Sequence, residues 1–143
     1  MKKVILAVVL SVVALEASAR ESIQNFSLEN AMQREDFKSR LGDDIKLYFG
    51  ETAHPEVTRK VGQVSTSKKT NAFNKSDRVA CEWALLSALI SLQEQARQSG
   101  ANAVVNIESN YKHNRYSSTN EFQCGAGNVI AGVALTGSTV VTQ

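Results

Sequence analysis

Residues 77–99 place the strongest constraint on what this chain can fold into. Ser76 can cap a helix there, Asp77 suits its positive N-terminal end, and Gly100 is placed to terminate it. Between these signals Val79, Trp83, Leu86 and Ile90 recur at helical spacing, and so do Leu85, Leu89, Leu92 and Ala96. Two such rows make an apolar surface wider than a surface helix needs, so a central core helix is expected. Its outer face is assigned Glu82, Gln93, Glu94 and Arg97.

After the helix the period changes to two. Ala103, Val105, Ile107, Ser109 and Tyr111 share one face of a strand over 102–112, with polar residues between them. Lys112-His113-Asn114-Arg115 reads as a hairpin turn and Tyr116–Cys124 as the return strand, with Cys124 on its core side. Gly125-Ala126-Gly127 is expected to bend the chain into a last strand, Val129–Leu135, followed by a short β-prone tail. Ahead of the helix, 20–27 reads as a loose leader and 28–41 as one or two helical turns capped by Ser27. Ile45–Phe49 is a strand, and so is 57–66, with Val57 and Val61 on one face and Lys60 and Val64 on the other. The expected fold is α+β: a two-layer single domain over 20–143, with one long core helix packed on a mostly antiparallel sheet of four to five strands.

The first residues fix the compartment. Lys2 and Lys3, the apolar run 4–15 and Ala17-Ser18-Ala19 form a signal-peptide pattern over 1–19, with cleavage expected after Ala19. The apolar run is shorter than the roughly 20 residues that span a bilayer. A periplasmic or secreted protein is expected, in a compartment where thiols oxidise. Cys81 and Cys124, the only cysteines, therefore read as one disulfide joining the core helix to the return strand. Nucleotide binding is excluded on chemistry. The nearest approach to a phosphate-cradling loop, from Gly62 to Lys69, lacks the second glycine and the Mg-binding hydroxyl.

The whole chain has a net charge of +2, which hides an asymmetry. Arg59, Lys60, Lys68, Lys69, Lys75 and Arg78 lie within 20 residues, opposed only by Asp77. Within this stretch, residues 68–75 set Phe73 among cations. That segment either grips an anionic polymer, lipid head group or partner loop, or is a solvated connection with Phe73 tucked under the sheet. The partner-binding candidates are thus Arg59, Lys60, Lys68, Lys69, Phe73 and Lys75. The low net charge disfavours nucleic acid. His54 and His113 both fall on expected turns. No metal site and no cofactor are assigned; His113, with Tyr111, Glu108 or Glu121, is the candidate should a metal ion or small anion bind. Asp43-Asp44 and Glu35-Asp36 read as a chain break and a solvated helix face rather than an acid/base pair.

The junction Gly100-Ala101-Asn102-Ala103-Val104-Val105, where a helix end runs into a strand, resembles a superfamily of small bacterial α+β domains. That superfamily includes the heavy-metal-binding domains and the stress-sensor lipoprotein of the Rcs pathway. Residues 45–50, 68–73, 81–92, 100–111 and 121–135, the last opening Glu-Phe-Gln-Cys-Gly-Ala-Gly, resemble a group of exported proteobacterial proteins often labelled excinuclease ATPase subunits. The resemblance implies this fold and an exported location. The expected function is a non-catalytic exported module that binds or senses an envelope protein or an anionic envelope component. The alternative is a ligand-binding module for a metal ion or small anion.

Overall fold

The computed structural model describes residues 21–143. The expected signal segment and its cleavage point lie outside the described residues. Along the chain come β1 (Glu21–Ser27), α1 (Leu28–Met32), α2 (Glu35–Arg40), β2 (Lys46–Phe49), β3 (Val57–Asn71), α3 (Asp77–Ser99), β4 (Ala103–Tyr111), β5 (Asn114–Tyr116), β6 (Glu121–Gly127) and β7 (Ile130–Thr142).

The helix signals work as their chemistry predicts. The Ser76 hydroxyl accepts a hydrogen bond from the Val79 N–H, and Gly100 closes α3 in the left-handed conformation with φ 79°. One face of α3 lies across β3, β7, β6 and β4. Its supposed outer face is a correction: Glu82 and Gln93 are buried. The α1–α2 segment and the loop after it fold back over that side. Phe37, Ala31 and Leu28 join the core there, and the Gln93 amide donates to the carbonyls of Gly42 and Ile45 while accepting from the Gly42 N–H. Arg34 and Arg78 approach the buried Glu82 carboxylate at 3.3 and 2.9 Å, which supplies the pairing a buried charge requires.

Seven strands among the described residues form one mixed sheet, more than the four to five expected. Every pairing is antiparallel except β2 with β4. The leader is the first source of the excess: residues 21–27 are β1, paired along their whole length with β6. The return strand is the second, because it divides. Residues 114–116 form β5 beside β4, and 121–127 form β6 beside β1 and β7. Gly125-Ala126-Gly127 lies inside β6, so the bend falls at Asn128-Val129 instead. The last strand then runs on without a break to Thr142 and pairs with β3 throughout.

Register shifts in β3 and β4 reassign side chains between the faces. In β3 the register shifts between Lys60 and Gly62, so Val61 and Val64 both pack toward the core beneath α3. Val57 instead joins Ala103, Val105, Val140 and Tyr48 in a second cluster. In β4, Asn106 takes a left-handed φ of 52°, and the faces exchange there. Val104 and Ile107 enter the main core, whereas Ala103 and Val105 do not. Cys81 and Cys124 form the expected disulfide between α3 and β6, with Cα atoms 5.8 Å apart and both residues fully buried. No helix among the described residues is long and apolar enough to cross a membrane.

Candidate functional site

The face of the sheet away from α3 holds the site. On β7, Ala131, Val133 and Leu135 belong to the core under the helix, so Gly132 and Ala134 point to the open side. Cross-strand partners share a face, which adds Lys69 opposite Gly132, Ser67 opposite Ala134, Ser65 opposite Thr136 and Gly125 opposite Gly132. Beyond Ser109, β4 no longer pairs with β7, and β6 takes its place. The β4–β5 hairpin therefore rides over the open face. Its Tyr111 ring settles on a glycine floor: a Cβ at Gly125 would collide with the ring, 2.1 Å from its Cζ, and one at Gly132 would stand a tight 3.3 Å from it.

The Tyr111 hydroxyl donates to a carboxylate oxygen of Glu21, and Lys112 Nζ lies 2.8 Å from the other oxygen. Lys112 chiefly, and Tyr111 next, hold the Glu21 carboxyl below the usual range. Burial chiefly, then the Glu21 hydrogen bond and charge, push the Tyr111 phenol up to about 12. The folded-state value is raised, so this stabilising contribution is complete below the ordinary tyrosine value of about 10 and is lost as pH rises through about 12. A spectrophotometric titration should show one phenol ionising near 12. Glu21→Gln should lower that value only part-way, because burial is the larger cause.

The hairpin turn is strained. Lys112 and His113 link Tyr111 to its partner Asn114 with φ 51° and 63°, the mirror-image turn that ordinarily requires Asn-Gly. Two bulky residues in the left-handed region cost about 1 kcal/mol or more each. Lys112→Asn with His113→Gly should relieve the strain and give up an exposed ion pair worth at most about 1 kcal/mol. A net gain of about 1 kcal/mol is expected in denaturant melts, and a loss of stability would show that the Lys112–Glu21 contact dominates the turn.

Three contiguous hollows share Lys69. One, of about 530 Å³, lies between the hairpin and β3 and is lined by Ser65, Ser67, Lys69, Asn110, Lys112 and His113, among others. The next, of about 420 Å³, is lined by Glu21, Lys69, Tyr111, Asn128, Val129 and Ile130 with two glycines. The third, of about 490 Å³, joins Lys69 to Phe73, Val129 and Ile130. Those last three side chains are 63, 62 and 54% exposed. They project from two turns that the Ala72 N–H joins by a 2.7 Å hydrogen bond to the Val129 carbonyl.

The sequence candidates divide between the two ends of β3. Lys69, Phe73 and Lys75 gather at one end, and Phe73 stands in solvent rather than under the sheet. Lys68 pairs with Val133 at that end but belongs to the opposite face. The register shift in β3 returns Lys60 to the open face, opposite Val140, yet nine residues of strand separate it from Lys69 by roughly 30 Å. Arg59, opposite Val141, is as remote. Of the ligands grouped with His113, Glu108 is paired with Arg115 at 3.2 Å and Tyr111 bonds Glu21. Among the described residues no three His, Cys, Asp or Glu side chains are grouped to hold a metal. Sequence reasoning missed Glu21, Val129, Ile130 and the glycine floor. The available signal was Gly125, Gly127 and Gly132, three glycines in adjoining segments whose missing side chains invite a ring. Comparison with family models, with curated proteins and with solved structures finds no match for this chain.

Proposed function

We propose that the chain is a non-catalytic exported module that binds an anionic component of the cell envelope through the Lys69 end of its sheet. The observation that supports this is the exposed apolar group Phe73, Val129 and Ile130 set against Lys69 and Lys75. Large apolar side chains grouped in water mark an interaction site. Residues 68–78 hold four cations and one acid, so the surroundings favour an anion. The buried disulfide supports an oxidising compartment.

Sedimentation of the purified protein with washed envelope fragments tests the reading. Replacing Lys69 and Lys75 by Gln should weaken the association roughly 30-fold at low salt, at about 1 kcal/mol per lysine near an anionic surface, whereas Lys68→Gln, on the opposite face, should leave it nearly unchanged. Added salt should weaken the parent protein likewise. The melting temperature should hardly change, since exposed charges contribute little to folding. Association untouched by the Lys69 and Lys75 double substitution would place the functional surface elsewhere.

A further inference from the structure

The three hollows form a chemical gradient. At one end lie Lys112, His113, Asn110 and the hydroxyls of Ser65 and Ser67; at the other lie Val129, Ile130 and Phe73; Lys69 borders all three hollows. We infer that this face binds a phosphate-headed amphiphile, one molecule at a time. The head group lies between β3 and the hairpin, and its apolar chain runs over Ile130 toward Phe73.

Charge and donor number select the head group. Lys69 has no ion-pair partner among the described residues, and the carboxylate that acts on it through space, Glu21, is already bound by Lys112 and Tyr111. Lys69, Lys112, His113, Asn110 and the two serines offer more donors than the two oxygens of a carboxylate can use, whereas a phosphate can accept from several at once. Glu21 keeps the net charge of the face low, and this disfavours a polyanion more than it disfavours a single phosphate. The exposed apolar residues give a chain somewhere to lie, which inorganic phosphate cannot use. The strained Lys112-His113 turn is consistent with a conformation kept for binding rather than for stability.

The inference rests on the proposed function for the source of its ligand but is tested apart from it. The probe is dihexanoylphosphatidylglycerol held below its micelle concentration, titrated calorimetrically into the purified protein. Saturable one-site binding is expected, with inorganic phosphate and the uncharged hexyl glucoside each at least about tenfold weaker. Lys69→Gln and Ile130→Asn should each weaken binding about tenfold with unaltered melting temperature, one removing the charge and the other the apolar track. Absence of saturable binding, or indifference to either substitution, overturns the inference. So does binding to phosphatidylglycerol vesicles without binding to the monomeric lipid, since that is adsorption to a surface. Salt-sensitive envelope association that persists while the short-chain lipid fails removes this inference and leaves the proposed function standing. Loss of envelope association with the lipid titration intact does the reverse.

Discussion

Replacing Cys81 and Cys124 together by alanine is expected to destabilise the protein by about 4 kcal/mol. For a chain of this size that corresponds to a melting temperature lower by roughly 15 °C. The bridge closes a separation of 43 residues that contains most of α3 and all of β4 and β5. Cutting it restores to the unfolded chain the freedom that the loop closure removes. The double alanine variant leaves no unpaired thiol and no buried hydroxyl, so the measured difference belongs to the bridge and its packing. The loss should be felt beyond the cysteines, because β6 is the only strand among the described residues that β1 pairs with, and β1 delivers Glu21 to Tyr111. Both sulfurs are buried, so reduction of the native protein should proceed at the rate of its opening rather than of its encounter with reductant. A double variant that melts within a degree or two of the parent would show that packing of α3 on the sheet holds β6 unaided.

The central helix was legible because each of its signals acts locally. Ser76, the apolar rows and Gly100 need no distant partner to have their effect. The disulfide was legible because the sequence holds just two cysteines and both fall on core-facing positions of their elements. The strands were legible in proportion to their independence. Residues 21–27 carry only Ile23 and Phe26 as large apolar groups, and they become β1 because β6 offers them a ladder. That is a tertiary cause, invisible in a local pattern. The clean alternation of 103–111 was misleading for a related reason. Asn106 steps into the left-handed region and exchanges the faces, which a period-two count cannot register. Glu82 and Gln93 looked solvated since nothing in their own segment announces the α1–α2 cover.

The candidate site was half legible. The cations and Phe73 stand out as a run in the sequence, and the structure keeps Lys69, Phe73 and Lys75 together while leaving Arg59 and Lys60 at the far end of β3. The other half depends on which strands become neighbours. Val129 and Ile130 look like the start of a buried strand, but the bend at Asn128-Val129 leaves them in solvent beside Phe73. Glu21 sits in what reads as a leader, 90 residues from the tyrosine whose proton it holds. Only the path of the hairpin over the open face explains why these groups meet.

Gly125→Val is expected to cost about 3 kcal/mol, at the upper end of what overpacking usually costs. Valine is otherwise a good strand residue, so the backbone gives no reason for a loss. The conflict lies with one neighbour: the added Cβ would occupy the space of the Tyr111 ring. Tyrosine is the member that can move, and moving it gives up both its packing on the glycine floor and its hydrogen bond to Glu21. Tyr111→Ala alone should cost about 2 kcal/mol, as a half-buried aromatic truncation. Combined with Gly125→Val it should cost at least 1 kcal/mol less than the sum, since the second change has already removed what the first collides with. The expelled ring also reports on itself. With burial the largest cause of its raised ionisation, Tyr111 in Gly125→Val should titrate well below the value of about 12 that it holds on the floor. Additive costs together with an unshifted phenol would mean that the ring does not rest on Gly125.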